Sequence, residues 1–147
     1  MVETAREHIV QKLARLSWPE RFIAADAWLR MLWIAGILRT PYRNRLFVTN
    51  RSTGESRLSQ VQVERLAWLV NAMANRHVKR MTCLERALTL QSLLAKQGCH
   101  ASLRFGVRKG DATVEAHAWL EGVPGLSDPL SSDFIPLKNF SERHCQN

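Results

Sequence analysis

A chain of 147 residues with 46% hydrophobic content can bury one core, and its formal charge of +8, from 21 Lys and Arg against 13 Asp and Glu, favours an acidic partner such as nucleic acid, an anionic membrane or an acidic peptide. Three cysteines, an odd number, without an n-region, h-region and small-residue cleavage site at the N-terminus, argue against a secreted disulfide scaffold and for reduced thiols in a cytoplasm. The most apolar run, residues 24–38, is interrupted by Asp26 and Arg30 and falls short of the roughly 20 apolar residues a bilayer span needs, so a buried helix is expected there.

In chain order, Ile9, Leu13 and Leu16 at helical spacing predict a helix over residues 3–16. Ser17 and Glu20, three apart with Pro19 between them, restart the helix, which should run from about 19 to 39 on an inner stripe of Phe22, Ala25, Leu29, Leu32, Trp33 and Ile37 and stop at Pro41. Residues 40–58 lack helical periodicity and carry Arg43, Arg45, Arg51 and Arg57, so they read as a basic connector with room for a short strand at Leu46–Thr49. Ser59 and Gln62 open another helix, in which Val63, Leu66, Ala67, Val70, Met73 and Ala74 form the apolar stripe and which should end near His77. Thr82 and Glu85 open a third, over "CLERALTLQSLLAKQG".

After residue 98 the period changes from helical to alternating. Ala101, Leu103, Phe105 and Val107 share one face of a strand, "KGD" at 109–111 turns the chain, and Val114, Ala116, Ala118 and Leu120 alternate with Thr113, Glu115, His117, Trp119 and Glu121 in a second strand. "GVPG" turns it again, and the tail from Pro129 has little pattern. With no repeat, low-complexity segment or Gly/Ser linker, the expectation is one α+β domain over 1–147, helical to residue 80, with its functional core in 81–135 on a small antiparallel sheet.

The capping box of Thr82 and Glu85 puts Cys83 at the first helical position. A thiolate there faces unpaired N–H groups and the positive end of the helix dipole, which favour the anion. His117 shares a strand face with Glu115 and Trp119, and a helix-start cysteine followed downstream by a strand histidine is the order of papain-like cysteine enzymes. An acid must then orient the imidazole. If Gly122 and Gly125 flank a hairpin turn, paired residues sum to 247, Trp119 faces Asp128, and Asp128 lies diagonal to His117 on the same face. That register favours Asp128, with Glu115 and Asp133 as alternatives.

The run "CLERALTLQSLLAKQGCHASLRFGVRKGDATVEAHAWLEG" resembles the core of the transglutaminase-like leader peptidases of lasso-peptide biosynthesis, where a Cys-Leu-x-x-Ala/Ser-Leu helix precedes a G-x-x-A-x-L-x-x-G-V strand and an A-H-A-W-L/V-E strand. The similarity is close over about 81–128 and loose before it. It implies a papain/transglutaminase-like fold and a cysteine peptidase, with Cys83 as nucleophile, His117 as base and Asp128 as acid, although Ser127-Asp128-Pro129 stands where the family often has Asn-Asp or a similar polar pair. The substrate implied is a ribosomally made precursor peptide whose leader is removed, so that an ATP-dependent lasso cyclase can join the freed N-terminus to an acidic side chain. A separate leader-binding protein is also implied, and the basic connector at 40–58 is the candidate surface for docking it.

Other readings are weaker. Cys99-His100 and His144-Cys145 are adjacent pairs without C-x-x-C spacing, so neither a metal nor any other cofactor is expected. A basic nucleic-acid-binding or adaptor module is disfavoured because Arg and Lys are dispersed and the recognition motifs of common nucleic-acid folds are missing. An acyl transferase would keep the same three residues and change only the acceptor.

Overall fold

The computed structural model describes residues 16–47 and 58–137. The predicted helix over 3–16 lies outside these apart from Leu16, as do Val48 and Thr49, Arg51 and Arg57 of the connector, and His144-Cys145.

Each α-helix among the described residues begins where the sequence offers a hydroxyl and, three residues on, an acid or amide. Ser17 caps α1 (Trp18–Leu38), Ser59 caps α2 (Gln60–Ala74) and Thr82 caps α3 (Cys83–Lys96). In all three the side chain three residues on reaches back to the cap N–H: Glu20 at 2.9 Å, Gln62 at 2.9 Å and Glu85 at 2.8 Å. At Ser59 and Thr82 the cap hydroxyl in turn accepts from the N–H of that residue, one of the donors a first turn leaves open. The apolar stripe of α2 is seated as expected, with Val63, Leu66, Val70 and Ala74 buried and Ala67 and Met73 half-buried.

The inner face of α1 is not the predicted one. Phe22 is 70% exposed, Leu29 61% and Trp33 60%, whereas Ala24, Ala27, Met31, Ile34 and Ala35 are buried. The helix is apolar nearly all round, so periodicity alone does not choose a face. Two other factors choose it: the alanines allow close approach to α2 and α3, and the polar pair on the neighbouring stripe reaches α3 rather than water. Asp26 binds Lys96 at 2.9 Å, and Arg30 binds both Asp26 at 2.9 Å and the Ser92 hydroxyl at 3.1 Å.

The connector also differs from expectation where it is described. Pro41–Phe47 form a 3-10 helix in place of an irregular segment, and Leu46 and Phe47 belong to it rather than to a strand. Proline needs no N–H acceptor and its fixed φ suits a first turn. The chain therefore keeps coiling past α1 through Thr40, whose N–H reaches Ile37 O at 2.9 Å and whose carbonyl accepts from Arg43 N–H at 3.3 Å.

Two strands, β1 (Ser102–Lys109) and β2 (Val114–Glu121), form an antiparallel hairpin in the register Ser102 to Glu121 through Lys109 to Val114. A third, β3 (Ile135–Pro136), pairs with the other side of β1, so the spatial order is β2, β1, β3. The second hairpin, with pairs summing to 247, is not formed: among the described residues β2 pairs with β1, and residues 126–130 are not a strand. The turn after β2 explains the difference. Gly122 and Gly125 hold φ of 92° and 90°, open to glycine at little cost, and Leu126 N–H closes on Val123 O at 3.1 Å. Gly125 passes so near the start of α2 that a Cβ on it would stand 2.6 Å from Gln60 O. The chain thus leaves the sheet toward α2 instead of folding back along β2.

The core lies between the helices and the sheet, around Met31, Val63, Val70, Leu94, Cys99 and Leu120. α3 packs on β2 and is itself covered by α1 and α2. The arrangement is the α+β fold expected, with three α-helices against a three-stranded antiparallel sheet among the described residues. No helix among the described residues is long and apolar enough to cross a membrane.

Candidate active site

Where α3 begins beside β2, an open cleft of ≈ 640 Å³ is lined by Cys83, His117 and Asp128 together. α3 supplies Cys83, Arg86, Ala87 and Leu90, the i, i+3, i+4, i+7 stripe of one helical face. α2 supplies Ala67, Val70 and Asn71, its C-cap residue Asn75 joins them, and the opposite wall is β2 and the loop 126–130.

Cys83 is half-buried at the first position of α3, and the structure around it is a cap network. Glu85, 4% exposed, binds Thr82 N–H through one oxygen and the Lys79 ammonium through the other. Burial pushes its carboxyl up, but Lys79 and the Thr82 N–H together outweigh burial and hold it below its ordinary value of 4.5. Glu85 is therefore a cap and an anchor for the segment before α3.

On the facing wall, His117 Nε2 meets Asp128 Oδ2 at 2.8 Å. The other carboxylate oxygen accepts from Leu130 N–H at 2.9 Å, and the Asp128 carbonyl accepts from the Ser131 hydroxyl at 2.8 Å, so the acid sits in a tight polar turn. The alternatives are engaged elsewhere: Glu115 binds Arg108 at 2.6 Å, and Asp133 lies 3.6 Å from the same guanidinium. The acid that the sequence favoured does reach the histidine, though by the turn toward α2 rather than by strand pairing.

The imidazole is held by two aromatic neighbours, Trp119 from its own strand face, as the alternation of β2 led one to expect, and Phe134, which the sequence did not single out. Trp119 stacks beside it at 5.9 Å between ring centroids, and Phe134 lies 5.1 Å away. Gly106, opposite His117 in the β1–β2 register, makes room for both: a Cβ there would stand 2.8 Å from atoms of each. Trp119 is buried, and its indole N–H donates to Glu121 Oε1 at 2.7 Å, so it both fills the core and walls the imidazole. Phe134 falls in the tail that showed no pattern, and nothing in the alternation of β1 marks Gly106.

With Nε2 occupied by a carboxylate, the neutral imidazole carries its proton there and leaves Nδ1 as the basic nitrogen. A half-buried thiol, an imidazole with one nitrogen free to take a proton, and a carboxylate fixing the tautomer, all on one cleft, are the components of acyl transfer through a thioester. Cys99 takes no place in it, being a buried member of the core. The sequence profile of the transglutaminase-like superfamily matches residues 23–137, which include every residue of the cleft. No curated protein and no solved structure matches the chain.

Proposed function

The chain belongs to the transglutaminase-like superfamily, and from that premise we propose that it is a cysteine peptidase that removes the leader from a lasso-peptide precursor. The observation that carries the peptidase reading is the His117–Asp128 bond at 2.8 Å on the cleft that Cys83 also lines. The leader-peptidase assignment is supported by the motif around Cys83 and His117.

In this reading Cys83 Sγ attacks the scissile carbonyl as its proton passes to His117 Nδ1, the nitrogen Asp128 leaves available. The oxyanion forms beside the Cys83 backbone N–H, which belongs to a first turn and has no intrahelical acceptor. The C–N bond breaks as the imidazolium protonates the departing amine, leaving a thioester and the freed core peptide. His117 then takes a proton from water, the hydroxide adds to the thioester, and collapse returns the thiol and releases the leader carboxylate. Asp128 keeps its role throughout, orienting the ring and stabilising its cationic form.

A separate leader-binding protein would present the substrate, raising the local concentration of the scissile bond without new contacts at Cys83. The test is incubation with a candidate precursor, with and without that partner, followed by intact-mass measurement. Two fragments whose masses sum to precursor plus one water, absent for Cys83→Ala, are expected. An intact precursor together with amine-trapped glutamine adducts would assign the thioester chemistry to an acyl transferase instead.

A further inference from the structure

Resting on the peptidase reading, we propose that the cleft takes a peptide with a carboxylate side chain close to the scissile bond, and that Arg86 reads it. Arg86 stands one helical turn after Cys83 on the same face of α3 and lines the same cleft. Its Nη2 donates to Asn75 Oδ1 at 3.1 Å, which holds the guanidinium in place, while its buried Nε has no hydrogen-bond partner. A neutral amide fixes the position of a cation and leaves its charge uncompensated.

Among the described residues no carboxylate pairs with that charge. The sole acid on the cleft among the described residues is Asp128, whose oxygens are taken by His117 and Leu130 N–H. Acids elsewhere on the helices and sheet are matched to other groups: Glu20 to Arg65, Asp26 to Arg30 and Lys96, Glu85 to Lys79, Glu115 and Asp133 to Arg108, Glu121 to Arg104, and Glu64 to the Gln60 amide. Arg80 adds a second cation to the same cleft, and Asn71 a further polar group. A planar guanidinium with donors to spare is suited to a carboxylate. Residues at i and i+3 on a helix are about 5–6 Å apart at Cβ, and an extended peptide advances about 3.3 Å per residue, so the acidic side chain belongs within about two residues of the bond Cys83 attacks.

The probe is the rate of Cys83 alkylation by iodoacetate, a carboxylate, against iodoacetamide, its neutral counterpart, read on the Cys83 peptide by mass spectrometry in the full-length protein. The ratio cancels the reactivity of the thiol itself and needs no turnover, so a merely structural role for Arg86 does not move it. Arg86→Gln should lower the ratio about tenfold, within the range by which local charge concentrates an anion, and Arg86→Lys should keep most of it. Asn75→Asp neutralises the guanidinium with Arg86 still present and should lower the ratio likewise, which tests the proposal independently of whether Arg86→Gln folds. The same ratio in the wild type and the folded variants would overturn the proposal. On peptides that differ only by Glu or Gln within two residues of the cleaved bond, kcat/KM should favour Glu and lose that preference in Arg86→Gln. Cleavage without that preference would count against Arg86 alone, whereas a charge-dependent alkylation ratio in a protein that cleaves no peptide would keep the carboxylate site and remove the peptidase.

Discussion

The two walls of the cleft are built in opposite ways. The thiol wall is local: Lys79, Thr82, Cys83 and Glu85 lie within seven residues of chain, and the backbone of one helix start sets the position of Sγ. The imidazole wall is assembled from Gly106, His117, Trp119, Asp128 and Phe134, drawn from two strands, a loop and the segment before β3. A nucleophile can be placed by capping chemistry alone, because a helix N-terminus supplies both rigidity and field. A base needs a chosen tautomer and a fixed ring plane, which takes partners on several sides.

Breaking the reacting pair tests both walls at once. Cys83→Ala should abolish cleavage, by at least about 10⁴-fold in kcat/KM, with an unchanged fold by circular dichroism, and His117→Ala should do nearly the same. Full turnover by either folded variant would remove the peptidase reading.

Asp128→Asn sharpens the comparison, since it leaves both reacting groups and loosens only the far wall. Its kcat should fall by about 10²- to 10³-fold, less than for Cys83→Ala, while Glu115→Gln, which loses only its tie to Arg108, stays within about threefold. The reverse ranking in side-by-side progress curves would make Glu115 the orienting acid.

Gly106→Ala attacks the imidazole wall with no change of polarity. Trp119 and Phe134 must move off the added methyl, at a cost of about 1–3 kcal/mol in urea unfolding, and the displaced ring should lower kcat by up to about 100-fold. The rate of Cys83 alkylation by iodoacetamide should barely change, because the thiol wall does not contain Gly106. A large change there would show that the walls are coupled.

The smallest effect is expected on the thiol wall. In Glu85→Gln the amide can still accept from Thr82 N–H, but Lys79 loses its counter-charge, so a loss of about 1 kcal/mol and a Tm drop of roughly 3 °C are expected. Because the folded-state carboxyl is held below 4.5, its stabilising contribution is full above that value and is lost as pH falls through the lower folded one. The gap between wild type and Glu85→Gln should therefore close on acidification below pH 4.5. A gap independent of pH would mean that the Lys79 contact contributes nothing.

The same division explains what could be read from the chain. The start of α3, its cap and the position of Cys83 follow from residues within hydrogen-bond reach of one another in sequence, and so do the β1–β2 hairpin and the polar-face partners of His117. The face of α1 did not follow, because Phe22, Leu29 and Trp33 are as apolar as Met31 and Ile34, and the decision rests on Ser92 and Lys96 of another helix. Asp128 was found through a register that does not exist. A strand pairing and a glycine turn across Gln60 both bring the chain back past His117, and only tertiary packing distinguishes them. Phe134 and β3 were invisible because a two-residue strand containing a proline has no alternation to detect.

β3 is fastened to β1 by the pairs Gly106–Pro136 and Val107–Ile135 and by Leu137 N–H on Phe105 O at 2.8 Å, and this fixes an order of assembly. The cap around Cys83 needs only neighbouring residues and can form as soon as α3 does. Phe134 reaches His117 only when the chain has looped back from residue 137 to β1, and such closures come late because their entropy is spent before their contacts form. During synthesis the cap around the thiol is therefore complete first, and the imidazole gains its Phe134 neighbour last, when β3 docks on β1.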